Sequence, residues 1–120
     1  MKRALILAAM FIAGCSTAAD PQIPIASGQH AFQHRFAEQP TIPSIPLNVT
    51  ITGSHIVVVN LKASDPFPAG ILAEGELMWH AGSEQWIIGH KDADRSVRDV
   101  GGCSDGPEVV DLTDNIYWTC

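Results

Sequence analysis

The stretch that decides the fold is residues 47–61, which read LNVTITGSHIVVVNL. Two runs rich in β-branched residues, 47–51 and 56–61, flank a short polar turn at 52–55. β-branched side chains favour strands, and Gly53 supplies the backbone freedom that a tight turn requires. The stretch therefore predicts a β-hairpin.

The length of this turn also predicts the register of the hairpin. If Gly53 and Ser54 form a two-residue loop, then Ile51 faces Ile56 and both lie on one face of the sheet. The remaining apolar residues of the second strand would occupy the opposite face: Val57, Val59 and Leu61. We therefore expect this strand to be buried on both sides.

Residues 71–90 predict a second hairpin, which turns at 81–84. In that register Trp79 lies opposite Trp86, and such a cross-strand pair contributes about 0.5 to 1.5 kcal/mol beyond its buried area. Core packing is the first interpretation of these two tryptophans. The alternative is an aromatic platform for a sugar or peptide ligand.

The rest of the chain adds short strands and no predicted helix. Alternating apolar residues favour a first strand over 30–38, and prolines follow it at once. A last hairpin is predicted over 109–119, after a loop-like acidic segment at 91–108. We expect a mainly β fold, a small antiparallel β-barrel or β-sandwich of six or seven strands, in which a closed barrel would leave no exposed edge.

The amino terminus has the pattern of a secretory signal. Lys2 and Arg3 precede an uncharged apolar run over 4–13. A membrane-spanning helix needs about 20 apolar residues, so this run is too short to span. An ordinary signal peptide cleaved after Ala19 is one interpretation, since residues 17–19 are small.

The end of that run carries a more specific motif. Ile12-Ala13-Gly14-Cys15 resembles the lipobox of bacterial lipoproteins. The resemblance implies a signal peptide over 1–14, cleavage before Cys15, and a diacylglyceryl thioether on that cysteine, with acyl chains such as palmitate anchoring the protein in the membrane. Ser16 follows the cysteine, which resembles the class sorted to the outer membrane, where the domain would face the periplasm.

The predicted mature chain divides into a tether and one domain. Residues 15–29 have no helical or strand periodicity and predict a lipidated tether, which the 14 residues 16–29 could extend to about 45 Å. Residues 30–120 predict a single β-rich domain. Cys103 and Cys120 remain after the lipidated cysteine, and in an oxidising compartment they predict a disulfide worth about 3 kcal/mol.

Two segments have the spacing of metal ligands. His30, His34 and Glu38 recur every four residues, which would suit zinc on a helix but would spread them too far apart on a strand. A polar edge near the tether is the simpler interpretation. Asp92, Asp94 and Ser96 imitate the opening of a calcium loop. Val97, however, stands in place of its glycine and Cys103 in place of its final glutamate.

No catalytic or cofactor motif is present in the sequence: it has no Gly-x-Ser-x-Gly, no phosphate loop and no His-Glu-x-x-His. We therefore expect no cofactor. A small metal-dependent hydrolase would have to use histidines from separate segments: His30, His34, His80 or His90. An enzyme is the less favoured hypothesis.

The charge of the chain limits the class of partner. Seven Lys and Arg side chains oppose 13 Asp and Glu, a formal charge of −6, which argues against a nucleic-acid binder because such binding depends on basic side chains. The segment from Lys91 onward is acidic, which is typical of a solvated face. The alternative is a docking surface for a basic envelope protein.

These observations predict a membrane-anchored envelope lipoprotein with a non-catalytic binding or structural role. A small lipidated β-barrel with a disulfide also resembles the lysozyme-inhibitor proteins in architecture. Their Ser-Gly-x-x-Tyr stretch is missing here, and the only tyrosine is Tyr117. That alternative therefore depends on architecture alone.

Overall fold

In most strands of this chain apolar and polar residues alternate, so one face of each strand is apolar and can pack in a shared interior. The computed structural model describes residues 20–63 and 67–120, and these contain seven strands. The strands are β1 (Gly28–Phe36), β2 (Ile45–Thr52), β3 (His55–Asn60), β4 (Gly70–His80), β5 (Gln85–Gly89), β6 (Glu108–Asp111) and β7 (Ile116–Thr119).

The strands close into a barrel in sequence order. Each strand pairs antiparallel with the next, and β7 returns to β1 in a parallel pair in which His34 lies opposite Tyr117. An odd number of strands that reverse direction at every turn leaves the first and last strands running the same way. The predicted barrel is therefore confirmed over the sandwich, while its closing seam is parallel and not antiparallel.

The predicted registers of both hairpins are confirmed. Ile51 faces Ile56 between β2 and β3, and Trp79 faces Trp86 between β4 and β5. The expectation that β3 is buried on both sides was wrong, because its outer face is only partly covered. Val57 and Val59 are half-buried, and Leu61 lies beyond the strand with 75% of its surface exposed.

The barrel interior forms one apolar core, to which each of the seven described strands contributes side chains at 9% exposure or less. Members include Phe32, Val49, Ile56, Leu77, Ile88 and Tyr117. At the end of the barrel where β3 finishes, the Asn60 Nδ2 donates to Pro68 O at 3.0 Å, and Phe67 packs against the core. This contact ties Phe67 and Pro68, which precede β4, to the end of β3.

A smaller apolar cluster lies outside the barrel wall. Met78, Ile87 and Val109 are buried there, and Val100 and Trp118 pack against them. The segment that covers this cluster was predicted as a loop and contains a 3-10 helix, Asp92–Ser96.

A disulfide fixes the same covering segment to the end of the chain. The predicted bond between Cys103 and Cys120 is confirmed, with their Cα atoms 4.6 Å apart. Within the described ranges, none of the helices has the length and apolar character needed to cross a membrane.

Candidate functional site

Residues 20–27, which we call the strap, lie along the barrel instead of extending away from it. Ile23 and Ile25 pack against the core, and the Asp20 carboxylate accepts a hydrogen bond from the Trp79 backbone N–H at 3.4 Å. Asp20 also forms an ion pair with Arg95, and its carboxylate raises the pKa of that guanidinium. The part of the predicted tether that the structure describes is thus in contact with the domain.

A groove of about 450 Å³ runs between the strap and the adjoining end of the barrel. Its lining combines strap prolines, three tryptophans and residues from the β4–β5 and β6–β7 hairpins. We call this the tryptophan groove: Pro21, Gln22, Pro24, Trp79, Glu84, Gln85, Trp86, Val109, Val110, Asp111, Leu112, Thr113 and Trp118.

The tryptophans do not contribute equally to this surface. Trp86 is only 8% exposed and belongs to the core, whereas Trp79 and Trp118 are half-buried. The Trp79 and Trp86 rings meet edge to face, with centroids 5.4 Å apart and planes at 67°. The pair therefore presents no coplanar platform, and the accessible ring surface belongs to the two half-buried side chains.

Of the described residues that line the groove, the two that are charged are both acidic. Glu84 is exposed in the β4–β5 turn, where its φ of 54° is unusual for a residue with a side chain. Asp111 ends β6, and its Oδ1 accepts backbone N–H groups of Thr113 and Asp114 at 2.9 and 2.8 Å. These bonds fix the carboxylate beside the groove.

A second polar group lies inside the barrel, towards the end closed by Phe67. The Tyr117 hydroxyl donates a hydrogen bond to Glu108 Oε2, and burial raises the pKa of the Glu108 carboxyl. Glu108 also lines a separate cavity of about 380 Å³, together with His90 and Asp105. A half-buried acid beside a cavity can hold a proton, yet among the described residues no serine, threonine or cysteine lines this cavity.

The four histidines of the hydrolase hypothesis lie in separate environments. His30 is bonded to Ala26 O at 2.7 Å, and His34 is wholly buried in the barrel. His80 accepts from the Ser83 backbone and hydroxyl at Nδ1, so its Nε2 donates to Val97 O, while His90 is exposed after β5. The structure does not bring these histidines together into one site.

Neither of the two segments with metal-ligand spacing forms a metal site among the described residues. His30 and His34 lie on β1, and Glu38 is exposed beyond its end. Across residues 20–63 and 67–120, no three His, Cys, Asp or Glu side chains are grouped to hold a metal ion. Asp94 instead accepts the backbone N–H of His90 at 2.8 Å, and this bond lowers the pKa of the carboxyl.

Sequence reasoning missed a charged cluster on the outer surface. The two ring nitrogens of His55 lie 3.0 Å from Glu76 Oε1 and 3.0 Å from Glu74 Oε1. The hydrogen bond with Glu76 is the largest cause of the raised pKa of the imidazole, and the bond with Glu74 adds to it. Ser54 donates to Glu76 at 2.6 Å, which lowers the pKa of that carboxyl. The sequence does place two glutamates two residues apart on β4, which puts them on the same face of the strand. Their position beside His55 could not be predicted, because the register of β4 against β3 depends on the connection between these strands.

Cys15 and its motif lie outside the described residues, so its lipidation remains a prediction. No protein-family model, curated protein or solved structure matches this chain.

Proposed function

We propose that the protein is a membrane-anchored envelope lipoprotein whose barrel is a non-catalytic binding module, and that the tryptophan groove is its binding face. The observation that carries this proposal is the groove itself. It joins half-buried aromatic rings to two carboxylates, of which Asp111 is held by backbone N–H groups, at one end of a closed, disulfide-linked barrel. Concave surfaces with aromatic walls and few polar groups are typical of binding sites.

The composition of the groove supports binding over catalysis. Among the described residues, its lining includes no histidine, serine or cysteine, the residues that most often serve as base and nucleophile. The histidines of the described chain lie elsewhere, each held by its own contacts or exposed. The chemistry available in the groove is aromatic contact and negative charge.

The strap gives the anchor a geometric role. Because Asp20 is held by Arg95 and by the Trp79 backbone, only five residue steps separate the fixed part of the chain from Cys15. Five steps reach at most about 18 Å. With a lipid on Cys15, the strap side of the barrel and its groove would lie beside the membrane surface, where a membrane-associated partner is within reach.

In-cell photo-crosslinking tests this proposal. A benzophenone amino acid at exposed position 113 lies in the groove, and the same group at exposed position 37, after β1, is the matched control. We expect a specific adduct with an envelope protein from position 113 alone. Equal labelling from both positions, or no adduct from position 113, would contradict a binding role for the groove.

The anchor is tested separately. We expect Cys15→Ser to move the protein from the membrane fraction to the soluble fraction, and the intact mass of the unsubstituted chain to match residues 15–120 plus acyl groups. A soluble species that begins at Asp20 would contradict lipidation and indicate an ordinary secretory signal.

A further inference from the structure

We propose that the tryptophan groove receives a lysine or arginine side chain from an extended basic segment of a partner protein. This inference rests on the proposed function, because it names the ligand class for the same groove. It depends on three observations: the sign of the charge in the groove, the arrangement of the tryptophan rings, and the lack of a free strand edge.

The charge of the groove is negative and is not neutralised from within. The Glu84 side chain has no hydrogen-bond or ion-pair partner among the described residues, and Asp111 uses Oδ1 for the turn while Oδ2 has none there. The nearby Arg95 is already paired with Asp20 and with Asp92, the latter at 3.2 Å. An incoming cation would therefore meet unpaired carboxylates.

The ring geometry favours a cation over a sugar. A sugar ring stacks on a flat, exposed aromatic face, but Trp86 is buried and meets Trp79 edge to face. Half-buried Trp79 and Trp118 instead offer partial ring faces in the same groove as the two carboxylates. A guanidinium or ammonium group gains from an aromatic face and from a nearby carboxylate at the same time.

The closed barrel determines how such a segment can be recognised. The described strands are paired around the ring, so among them the groove offers no strand edge to which a peptide could add. The strap wall contributes Pro21 and Pro24, which lack backbone N–H donors. Recognition must therefore depend on side chains, and the charge of the lining selects basic ones.

Fluorescence anisotropy with a labelled (Gly-Arg)4 peptide and the detergent-solubilised full chain tests the proposal. The groove variant combines Glu84→Gln with Asp111→Asn, which removes both charges and leaves an oxygen for the turn. The control variant combines Glu38→Gln with Asp105→Asn, two exposed carboxylates outside the groove lining. Both variants lose the same net charge, so general attraction falls equally in each.

We expect the groove variant to bind the peptide at least fivefold more weakly, and the control variant to change by less than twofold. A (Gly-Glu)4 peptide should not bind. Equal weakening in both variants, or none in either, overturns the proposal. Thermal unfolding verifies that each variant is folded, and the single Glu84→Gln variant, which leaves the Asp111 turn intact, should weaken binding by at least twofold.

Crosslinking from position 113 separates this inference from the proposed function. An adduct that forms in the unsubstituted chain and disappears in the groove variant supports both. An adduct that persists in the groove variant keeps the binding role and overturns the basic ligand. No adduct in the unsubstituted chain contradicts the binding role itself.

Discussion

His34 and Thr119 meet across the parallel seam of the barrel, with Nε2 and Oγ1 2.6 Å apart. The imidazole is wholly buried between the rings of Phe36 and Phe67, whose centroids lie 4.4 and 4.6 Å away. Its Nδ1 has no hydrogen-bond partner in the described structure. Desolvation lowers the pKa of His34, so the seam contains a neutral imidazole at pH 7.

Acid should therefore destabilise the barrel through His34. The unfolded chain binds a proton near pH 6.5, which the folded chain does not bind until the pH is lower. Between these two values the free energy of unfolding falls as the pH falls, by at most about 1.4 kcal/mol per pH unit for this group. Urea unfolding at pH 7 and pH 5 should show a smaller difference for His34→Phe than for the unsubstituted chain.

His55, on the outer surface of the barrel, is the matched control, since its pKa is shifted in the opposite direction. Its contribution to stability is present below pH 6.5 and is lost as the pH rises through the raised pKa of the folded state. His55→Gln should therefore make the loss of stability in acid steeper. An unchanged pH dependence in His34→Phe would show that the buried imidazole does not control acid unfolding.

The hairpins could be predicted from sequence because their information is local. The turn at Gly53 fixes which residues of β2 and β3 face each other, and the period of two then sets the buried face. The same logic gave the Trp79 and Trp86 pair. The disulfide could also be predicted, because Cys103 and Cys120 are the two cysteines that remain after Cys15 and disulfides persist in an oxidising compartment.

The site could not be predicted in the same way because it depends on distant contacts. Asp20 and Arg95 are 75 positions apart, and nothing in residues 20–27 has strand periodicity. Ile23 and Ile25 therefore read as isolated apolar residues of a linker, although they pack on the core. Without the strap, the groove has no second wall.

Close packing between β4 and β5 makes Gly75 sensitive to any side chain. A Cβ at this position would lie 2.6 Å from the backbone oxygen of Gly89 and 2.9 Å from Ile88 Cγ2. Gly75→Ala should lower the free energy of unfolding by about 1 to 3 kcal/mol, as overpacking does. Gly82→Ala is the control, because its Cβ would come no closer than 3.4 Å to His80.

Urea unfolding midpoints measure both glycine variants. If Gly75→Ala is as stable as Gly82→Ala, β4 and β5 can move apart at Gly75 without loss of free energy. The close approach of Gly75 to Gly89 would then not restrict the side chain at this position.

Removing the disulfide should destabilise the chain without opening the barrel. Cys103→Ala combined with Cys120→Ala releases a loop closed by 17 positions, for which the chain-entropy model gives about 3 kcal/mol. The outer cluster that includes Val100 and Trp118 should loosen first, since the bond fixes its cover. Urea unfolding gives the stability, and hydrogen exchange should show lost protection in β7 before β2.

Reductant provides the control for that experiment. It should lower the stability of the unsubstituted chain and leave the double variant unchanged. A double variant that unfolds with the stability of the oxidised chain would mean that pairing with β1 and β6 holds β7 without the disulfide.

The strap should hold the barrel close to the lipid anchor. Ile23→Ser combined with Ile25→Ser removes its apolar contacts with the core, and the exposed Ile42→Ser is the control. Release of residues 20–27 would raise the reach of the chain from about 18 Å to about 45 Å. Energy transfer from tryptophan to dansyl-labelled lipid in liposomes measures this distance. Transfer should fall in the strap variant and stay unchanged in the control. Unchanged transfer in both variants would show that the strap does not set the distance between the groove and the membrane.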